Sequence, residues 1–165
     1  MKTERGSANR GVRREQRLTA THDDSYKASA KMPDPAACPR CNAAYLKGRW
    51  TWQAAPADAT QHTCPACLRT EDDFPAGYVT LKGPFFAAHR AEILELVNAR
   101  ALRARTDHPM QRLIGVADVT QGVLVTTTDA HLARGIGVAI HEAFKGDLAL
   151  TFSHDENLVR ATWTR

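Results

Sequence analysis

The four cysteines of this chain form two pairs with the same internal spacing. Cys38 and Cys41 belong to CPRC, Cys64 and Cys67 belong to CPAC, and 22 residues separate the two pairs. This C-x2-C-x22-C-x2-C pattern is close to that of zinc ribbons, whose gap is usually shorter, roughly 15–20 residues. Two such knuckles can place four thiolates in a tetrahedron, with Zn–S distances of about 2.3 Å. The spacing therefore predicts one structural Zn²⁺ per chain, held by all four cysteines.

Three other uses of paired cysteines compete with zinc. A disulfide framework is rare in a reducing compartment, and a thioredoxin-like C-x-x-C needs no second pair. An iron–sulfur cluster can also use four cysteines, but paired knuckles that both contain proline favour zinc. His62 lies two residues before Cys64, and we expect it to be a bystander because four thiols are already available.

The same pattern argues against catalysis at the metal. A full set of four thiolates closes the ion and leaves no position for an activated water. The H-E-x-x-H pattern is absent, and neither knuckle follows a proline as the deaminase pattern requires. The seven histidines are scattered and no nucleophile–base set stands out. We therefore predict that the protein is not an enzyme and takes no small-molecule substrate.

The segment YLKGRWTW, between the two knuckles, combines aromatic and basic residues. Lys47, Arg49 and Arg40 surround Trp50 in the sequence, and rings and cations together can stack on bases and neutralise phosphates. Trp50 and Trp52 alternate with other residues as on a strand, so both indoles are expected to point the same way. The alternative is that one or both tryptophans pack over the zinc site as its core.

The N-terminal segment, residues 1–36, is polar and basic. We expect it to be disordered, because it contains too little apolar surface to order itself. Basic arms of this kind neutralise phosphates by releasing counterions; the alternative is a solubilising tail with no partner. The candidate nucleic-acid-binding residues of the whole chain are Arg10, Arg13, Arg14, Arg17, Arg40, Lys47, Arg49 and Trp50.

The apolar residues are too dispersed for a membrane span. No apolar run approaches 18 residues, and the N-terminal segment has no apolar stretch of the kind found in secretory signals. The net charge is +4, and the basic residues of the first 36 positions contribute much of it. We predict a cytoplasmic protein with no membrane partner.

The elements that position the cysteines belong to a zinc module, residues 37–73, which a larger unit follows at residues 74–165. In the larger unit, GYVTLKG predicts a strand, and residues 87–104 have the apolar spacing of a helix. QRLIGVADV and GVLVTTT predict a hairpin, Asp129 is the expected N-cap of a second helix, and DLALTFS and LVRATW predict a closing hairpin. This βαββαβ order with an extra terminal strand predicts an α+β fold, a ferredoxin-like sandwich with an antiparallel sheet and both helices on one face.

Two short patterns in the second helix region have a structural and a functional interpretation. The TTTD segment could hold a phosphate at the helix N-terminus, or it is the end of a strand followed by a cap. Gly135 and Gly137 form a G-x-G inside the helix and not after a strand, which excludes a dinucleotide fingerprint. We expect these glycines to allow close contact between helix and sheet.

Three segments carry a resemblance to a known family. CPRCNAAYLKGRW, GVLVTTTDAHLARGIGVAIHEAFKGDL and the terminal LVRATW resemble the zinc-binding export adaptor of the large ribosomal subunit in archaea and eukaryotes. They are more similar still to short bacterial zinc-knuckle proteins related to it. Tyr45, Gly48 and Trp50 are the matching positions after the first knuckle, whereas Asn42 stands where the adaptor usually has glycine.

The resemblance extends over roughly residues 38–163, but the adaptor is longer and has further domains and transport signals. It implies a noncatalytic binder of structured RNA or of the ribosome. The alternative is a protein–protein interaction or regulatory module with a structural zinc ribbon. Salt separates the two, because phosphate contacts weaken steeply with added salt and an apolar protein interface does not.

Overall fold

The computed structural model describes Tyr26, residues 31–154 and residues 156–165. The tail arginines, Arg10, Arg13, Arg14 and Arg17, lie outside these residues. The strands are β1 (Ala36–Ala37), β2 (Ala44–Leu46), β3 (Arg49–Thr51), β4 (Thr60–Gln61), β5 (Gly77–Lys82), β6 (Leu113–Val119), β7 (Gly122–Thr127), β8 (Asp147–Ser153) and β9 (Leu158–Thr164). The helices are α1 (Pro65–Glu71), α2 (Pro84–Ala88), α3 (Arg90–Asp107) and α4 (Ala130–Phe144). None of these four helices combines the length and the apolar character needed to cross a bilayer.

A small sheet with strand order β3-β2-β1-β4 underlies the zinc module. Strands β2 and β3 form a hairpin whose two turn residues, Lys47 and Gly48, have φ values of 51° and 78°. Positive φ at both positions is the geometry of a type I′ turn, which matches the twist of a two-residue hairpin and favours glycine. The carboxylate of Asp34 accepts hydrogen bonds from both turn amides, at 3.2 and 3.0 Å.

A five-stranded sheet with order β6-β7-β5-β9-β8 forms the base of the larger unit. Strands β5, β7 and β9 alternate buried and partly exposed residues along most of their length, so one face of the sheet forms the core. Helices α3 and α4 contribute buried side chains to that core. The largest fully buried ones in this unit are Trp163, Leu81, Ile93, Leu132, Ile136 and Ile140.

The α+β class is confirmed, but the sheet is mixed and not purely antiparallel as predicted. Strand β9 pairs in parallel with β5 and in antiparallel with β8, so it lies between them. The physical reason is burial: β9 contributes Val159, Ala161 and Trp163 to the core, whereas the residues of β8 are at most half-buried. Because β9 separates β5 from β8, the strand order does not establish the ferredoxin-like arrangement.

The second helix region follows the prediction closely. Asp129 caps α4, because its side chain accepts a hydrogen bond from the amide of Leu132 at 3.0 Å. A Cβ atom at Gly137 would lie 3.1 Å from Leu148 and 3.2 Å from Ala161, which is tighter than ordinary packing. The expectation that this glycine allows close contact between helix and sheet is therefore confirmed.

Candidate metal centre

The four cysteine sulfurs converge on one point. Their Sγ atoms all lie within 4.8 Å of one another, with 3.9 Å between Cys38 and Cys67 and 3.7 Å between Cys41 and Cys64. A tetrahedron with Zn–S bonds of about 2.3 Å has sulfur–sulfur edges of about 3.8 Å. The Cys38–Cys67 and Cys41–Cys64 distances match that edge and no pair is farther apart than 4.8 Å, so the donor set fits a tetrahedral thiolate site, for which zinc is the favoured ion.

Two parallel strands deliver the two knuckles to the same end of the small sheet. Cys38 directly follows β1, and Cys64 lies three residues after β4, which pairs in parallel with β1. The Ala43 carbonyl accepts a hydrogen bond from the Cys38 amide at 2.8 Å, which closes the first knuckle into a turn. Parallel pairing therefore explains how residues so distant in the sequence meet at one site.

Helix α1 orients the second knuckle. Cys64 is its N-cap, with Pro65 in the first turn, and its Sγ accepts a hydrogen bond from the Cys67 amide at 3.4 Å. The Cys64 amide in turn donates to the Sγ of Cys38 at 3.3 Å. Amide donors stabilise negative charge on sulfur, so the backbone is arranged for thiolates. Cys38 and Cys64 are fully buried, whereas Cys41 and Cys67 are half-buried.

The two tryptophans of the knuckle loop have different surroundings. Trp50 is half-buried and packs against the buried cluster formed by Cys38, Cys64 and Ala66. Trp52 follows the end of β3 and is 38% exposed, and its Nε1 donates to the Arg105 carbonyl at 2.7 Å. Trp50 is therefore a core residue of the zinc module, as the alternative interpretation of the sequence expected. The Trp52 ring is exposed at the surface.

A guanidinium from the larger unit covers the sulfurs. Arg112 donates through Nη2 to Cys41 Sγ at 3.1 Å and to Cys64 Sγ at 3.6 Å, and through Nη1 to Cys67 Sγ at 3.3 Å. Four thiolates outnumber the two positive charges of Zn²⁺ by two, and Arg112 offsets part of this excess. Sequence reasoning missed Arg112, because no local pattern distinguishes it among the 22 lysines and arginines.

The TTTD segment serves this arrangement through its threonine hydroxyls. Thr128 Oγ1 accepts from the Arg112 amide at 2.9 Å and donates to the Met110 carbonyl at 2.6 Å. Thr127 is fully buried, and its hydroxyl donates to the Asp129 carbonyl. Both hydroxyls are hydrogen-bonded within the protein. This favours the interpretation of TTTD as a strand end followed by a helix cap, and it argues against a phosphate site.

The other predicted nucleic-acid residues lie at the surface. Arg40 forms an ion pair with Glu71 at 2.6 Å, so its charge is offset. Lys47 and Arg49 are exposed at the hairpin turn. Arg105, which the sequence did not single out, lies with its Cζ 5.6 Å from the centre of the Trp52 ring. The structure therefore brings Lys47, Arg49, Trp52 and Arg105 to one hairpin and the helix end beside it.

The thiols differ in acidity because their surroundings differ. Burial alone would raise the pKa of Cys38, but the Cys64 amide and further backbone amides lower it to about 7. Burial raises the pKa of Cys64 well above the usual thiol range, and it also raises the pKa of Cys67. Burial disfavours the charge on Arg112, but hydrogen bonds to Cys41 and Cys67 outweigh it and raise the pKa of the guanidinium.

We expect zinc affinity to fall as the pH is lowered, because a thiol must lose its proton before it binds the metal. Between about pH 7 and 8, Cys64 and Cys67 have raised pKa values and still carry protons that zinc must displace. Displacement of at least two protons makes the affinity fall by at least about 100-fold per pH unit. Below the Cys38 pKa of about 7 the dependence becomes steeper. Chelator-competition titrations across this range test it, and a pH-independent affinity would contradict a thiolate site.

No protein-family model, curated protein or solved structure matches the chain. The resemblance to the ribosomal export adaptor therefore stays an expectation.

Proposed function

We propose that the chain is a noncatalytic zinc protein that binds structured RNA, alone or in the ribosome, through its knuckle hairpin. The binding surface consists of Lys47, Arg49, Trp52 and Arg105, and we name it the Trp52 surface. The observation that carries the proposal is Trp52, a large aromatic side chain that is exposed and yet held in one orientation. The closed four-thiolate site supports a structural role for the metal.

The environment of Trp52 suits it for stacking. Its ring is 38% exposed, while the hydrogen bond from Nε1 to the Arg105 carbonyl fixes its direction. A ring that is already ordered loses little conformational freedom on binding, so more of the stacking energy contributes to affinity. Stacking of a base on such a ring contributes about 1–3 kcal/mol. Arg105 beside the ring adds a cation at the same place.

The charges of the Trp52 surface are available to phosphates. Among the described residues, no carboxylate forms an ion pair with Lys47, Arg49 or Arg105. Lys47 lies in the hairpin turn, Arg49 begins β3, and Trp52 directly follows the end of that strand. Cations and an aromatic ring along one hairpin can contact neighbouring nucleotides of one strand.

The proposal predicts separate effects of charge and stacking on RNA binding. Lys47→Ala with Arg49→Ala should lower the salt slope by about one per lost phosphate contact. Trp52→Ala should weaken binding by about 1–3 kcal/mol. The control is Arg103→Ala with Arg134→Ala, two exposed arginines outside the surface, which removes the same charge. Fluorescence anisotropy with structured RNA at several salt concentrations measures both effects; equal losses in control and surface variants would refute a specific surface.

Trp50→Ala separates this proposal from the sequence prediction that placed Trp50 at the RNA. Because Trp50 packs against the buried cysteines, its removal should lower the melting temperature of the zinc module. RNA binding by the remaining folded protein should keep its salt slope. If Trp50→Ala weakened RNA binding and left the stability unchanged, Trp50 and not Trp52 would be the residue that stacks on RNA.

Exposed apolar side chains on the edges of the large sheet favour a second candidate function, protein–protein interaction. Val116 and Val119 are exposed on edge strand β6, and Phe152 is exposed on edge strand β8. Exposed edge strands can pair with a strand of another protein. A tagged pull-down with and without nuclease distinguishes the two functions, since a protein partner survives nuclease and is less sensitive to salt.

A further inference from the structure

Arg112 contacts the metal site from outside the zinc module. It lies 45 residues after Cys67 in the chain, yet its guanidinium reaches three of the four sulfurs. A planar guanidinium fork fits a fixed array of acceptors, which an ammonium group on a flexible stem does not. A bound zinc would hold the four sulfurs in such an array.

The larger unit fixes Arg112 from the other side. Its Nε donates to the Pro109 carbonyl at 2.7 Å, its backbone amide donates to Thr128 Oγ1, and its carbonyl accepts from the Thr128 amide. These bonds attach Arg112 to the loop before β6 and to the end of β7. Arg112 therefore links the loop before β6 and the end of β7 to the sulfurs of the zinc module.

Arg112 lines a groove between the zinc module and the larger unit. The groove has a volume of about 530 Å³, and its lining includes Arg40, Asn98, Leu102, Arg105 and Arg112. Leu102 in this lining is 68% exposed. Arg112 Cζ and Arg105 Cζ each lie 5.6 Å from the centre of the Trp52 ring. A displacement of Arg112 would therefore change contacts at the Trp52 surface and at the end of α3.

We propose that Arg112 couples zinc occupancy to the packing of the zinc module against the larger unit, so that the groove between them is metal-dependent. With zinc bound, the sulfurs present a fixed acceptor array and the groove is ordered. Without zinc, the sulfurs lose their common geometry, and the bonds of Arg112 to three of them no longer form together. This coupling goes beyond the proposed function and does not depend on what binds in the groove.

The first test measures zinc release from the full-length protein to a chromophoric chelator. Partners that hydrogen-bond to metal ligands typically change metal affinity about 10–100-fold when mutated. We expect Arg112→Gln to release zinc faster by that factor, and Arg112→Lys to lie between it and the wild type. Arg103→Gln, an exposed arginine on α3, should behave as the wild type. A wild-type release rate for Arg112→Gln would overturn the proposal.

The second test is hydrogen–deuterium exchange with and without chelator. In the wild type, zinc removal should increase exchange in residues 98–113, while β9 in the core of the larger unit stays protected. In Arg112→Gln, exchange in residues 98–113 should already be high with zinc bound and should change little on chelation. The comparison of the wild type with and without chelator needs no variant, so it tests the coupling even if Arg112→Gln does not fold. Unchanged exchange of residues 98–113 after zinc removal would overturn the coupling.

Discussion

Replacing Cys64 with serine is expected to abolish tight zinc binding and to unfold the zinc module. Cys64 is fully buried, and three roles meet in it: its Sγ is a proposed zinc ligand, the same Sγ caps α1 through the Cys67 amide, and its amide donates to Cys38 Sγ. Zinc contributes about 10–16 kcal/mol to the folding of small four-ligand domains. The buried cluster around these cysteines is too small to replace that contribution.

Zinc content and limited proteolysis test this variant against His62→Ala. His62 is exposed two residues before Cys64, and its removal should leave zinc binding and protease resistance unchanged. The core of the larger unit lies within residues 79–163, so that unit should still unfold cooperatively when Cys64 is replaced. A Cys64→Ser protein with one tightly held zinc and a protease-resistant module would contradict the assigned ligand set.

Trp163→Ala is expected to destabilise the larger unit more than any other single truncation. Among the residues that the structure describes, Trp163 is the largest fully buried side chain. It packs beside Phe85, with ring centres 6.4 Å apart, and its Nε1 donates to the Lys145 carbonyl at 2.6 Å. Truncating a buried tryptophan costs about 3–5 kcal/mol, out of a total stability of about 5–15 kcal/mol for an ordinary domain.

Trp163→Phe is the matched control, because it keeps a ring in the core and removes the indole N–H. The carbonyl of the exposed Lys145 then loses its indole donor, and the loss of one such hydrogen bond costs about 0.5–1.5 kcal/mol. Denaturant unfolding of both variants gives the two free energies of unfolding. An Ala variant no less stable than the Phe variant would contradict the burial of Trp163 in the core.

The metal ligands could be predicted because their pattern is local. Each knuckle is four residues long, and the repetition of C-P-x-C indicated one shared site before any fold was known. Arg112 could not be predicted in this way. Its role depends on the folding of the loop after α3 back onto the knuckles, a long-range contact that leaves no mark in the neighbouring sequence.

The elements of the larger unit were predicted better than their arrangement. The hairpins and the Asp129 cap follow from alternation and local chemistry, and both are present. The predicted helix over residues 87–104 is divided, since α2 ends at Ala88 and α3 begins at Arg90. The place of β9 beside β5 depends on competition between two apolar strands for the centre of the sheet, and only packing decides it.

The two tryptophans show that strand alternation predicts side-chain direction only within the strand. Trp50 lies within β3 and takes the buried side, as its pairing with Tyr45 on β2 requires. Trp52 lies beyond the last residue of β3, so the alternation no longer fixes its direction. Its orientation comes from the Arg105 carbonyl on α3, which the knuckle sequence does not contain.

The most direct measurement of the central claim is the metal content of the full-length protein purified under reducing conditions. Native mass spectrometry together with elemental analysis gives both the stoichiometry and the identity of the ion. We predict one zinc per chain, and we expect the zinc to be released at low pH, when the thiols take up two or more protons. A folded protein that contains no metal, or that holds iron in place of zinc, would contradict it.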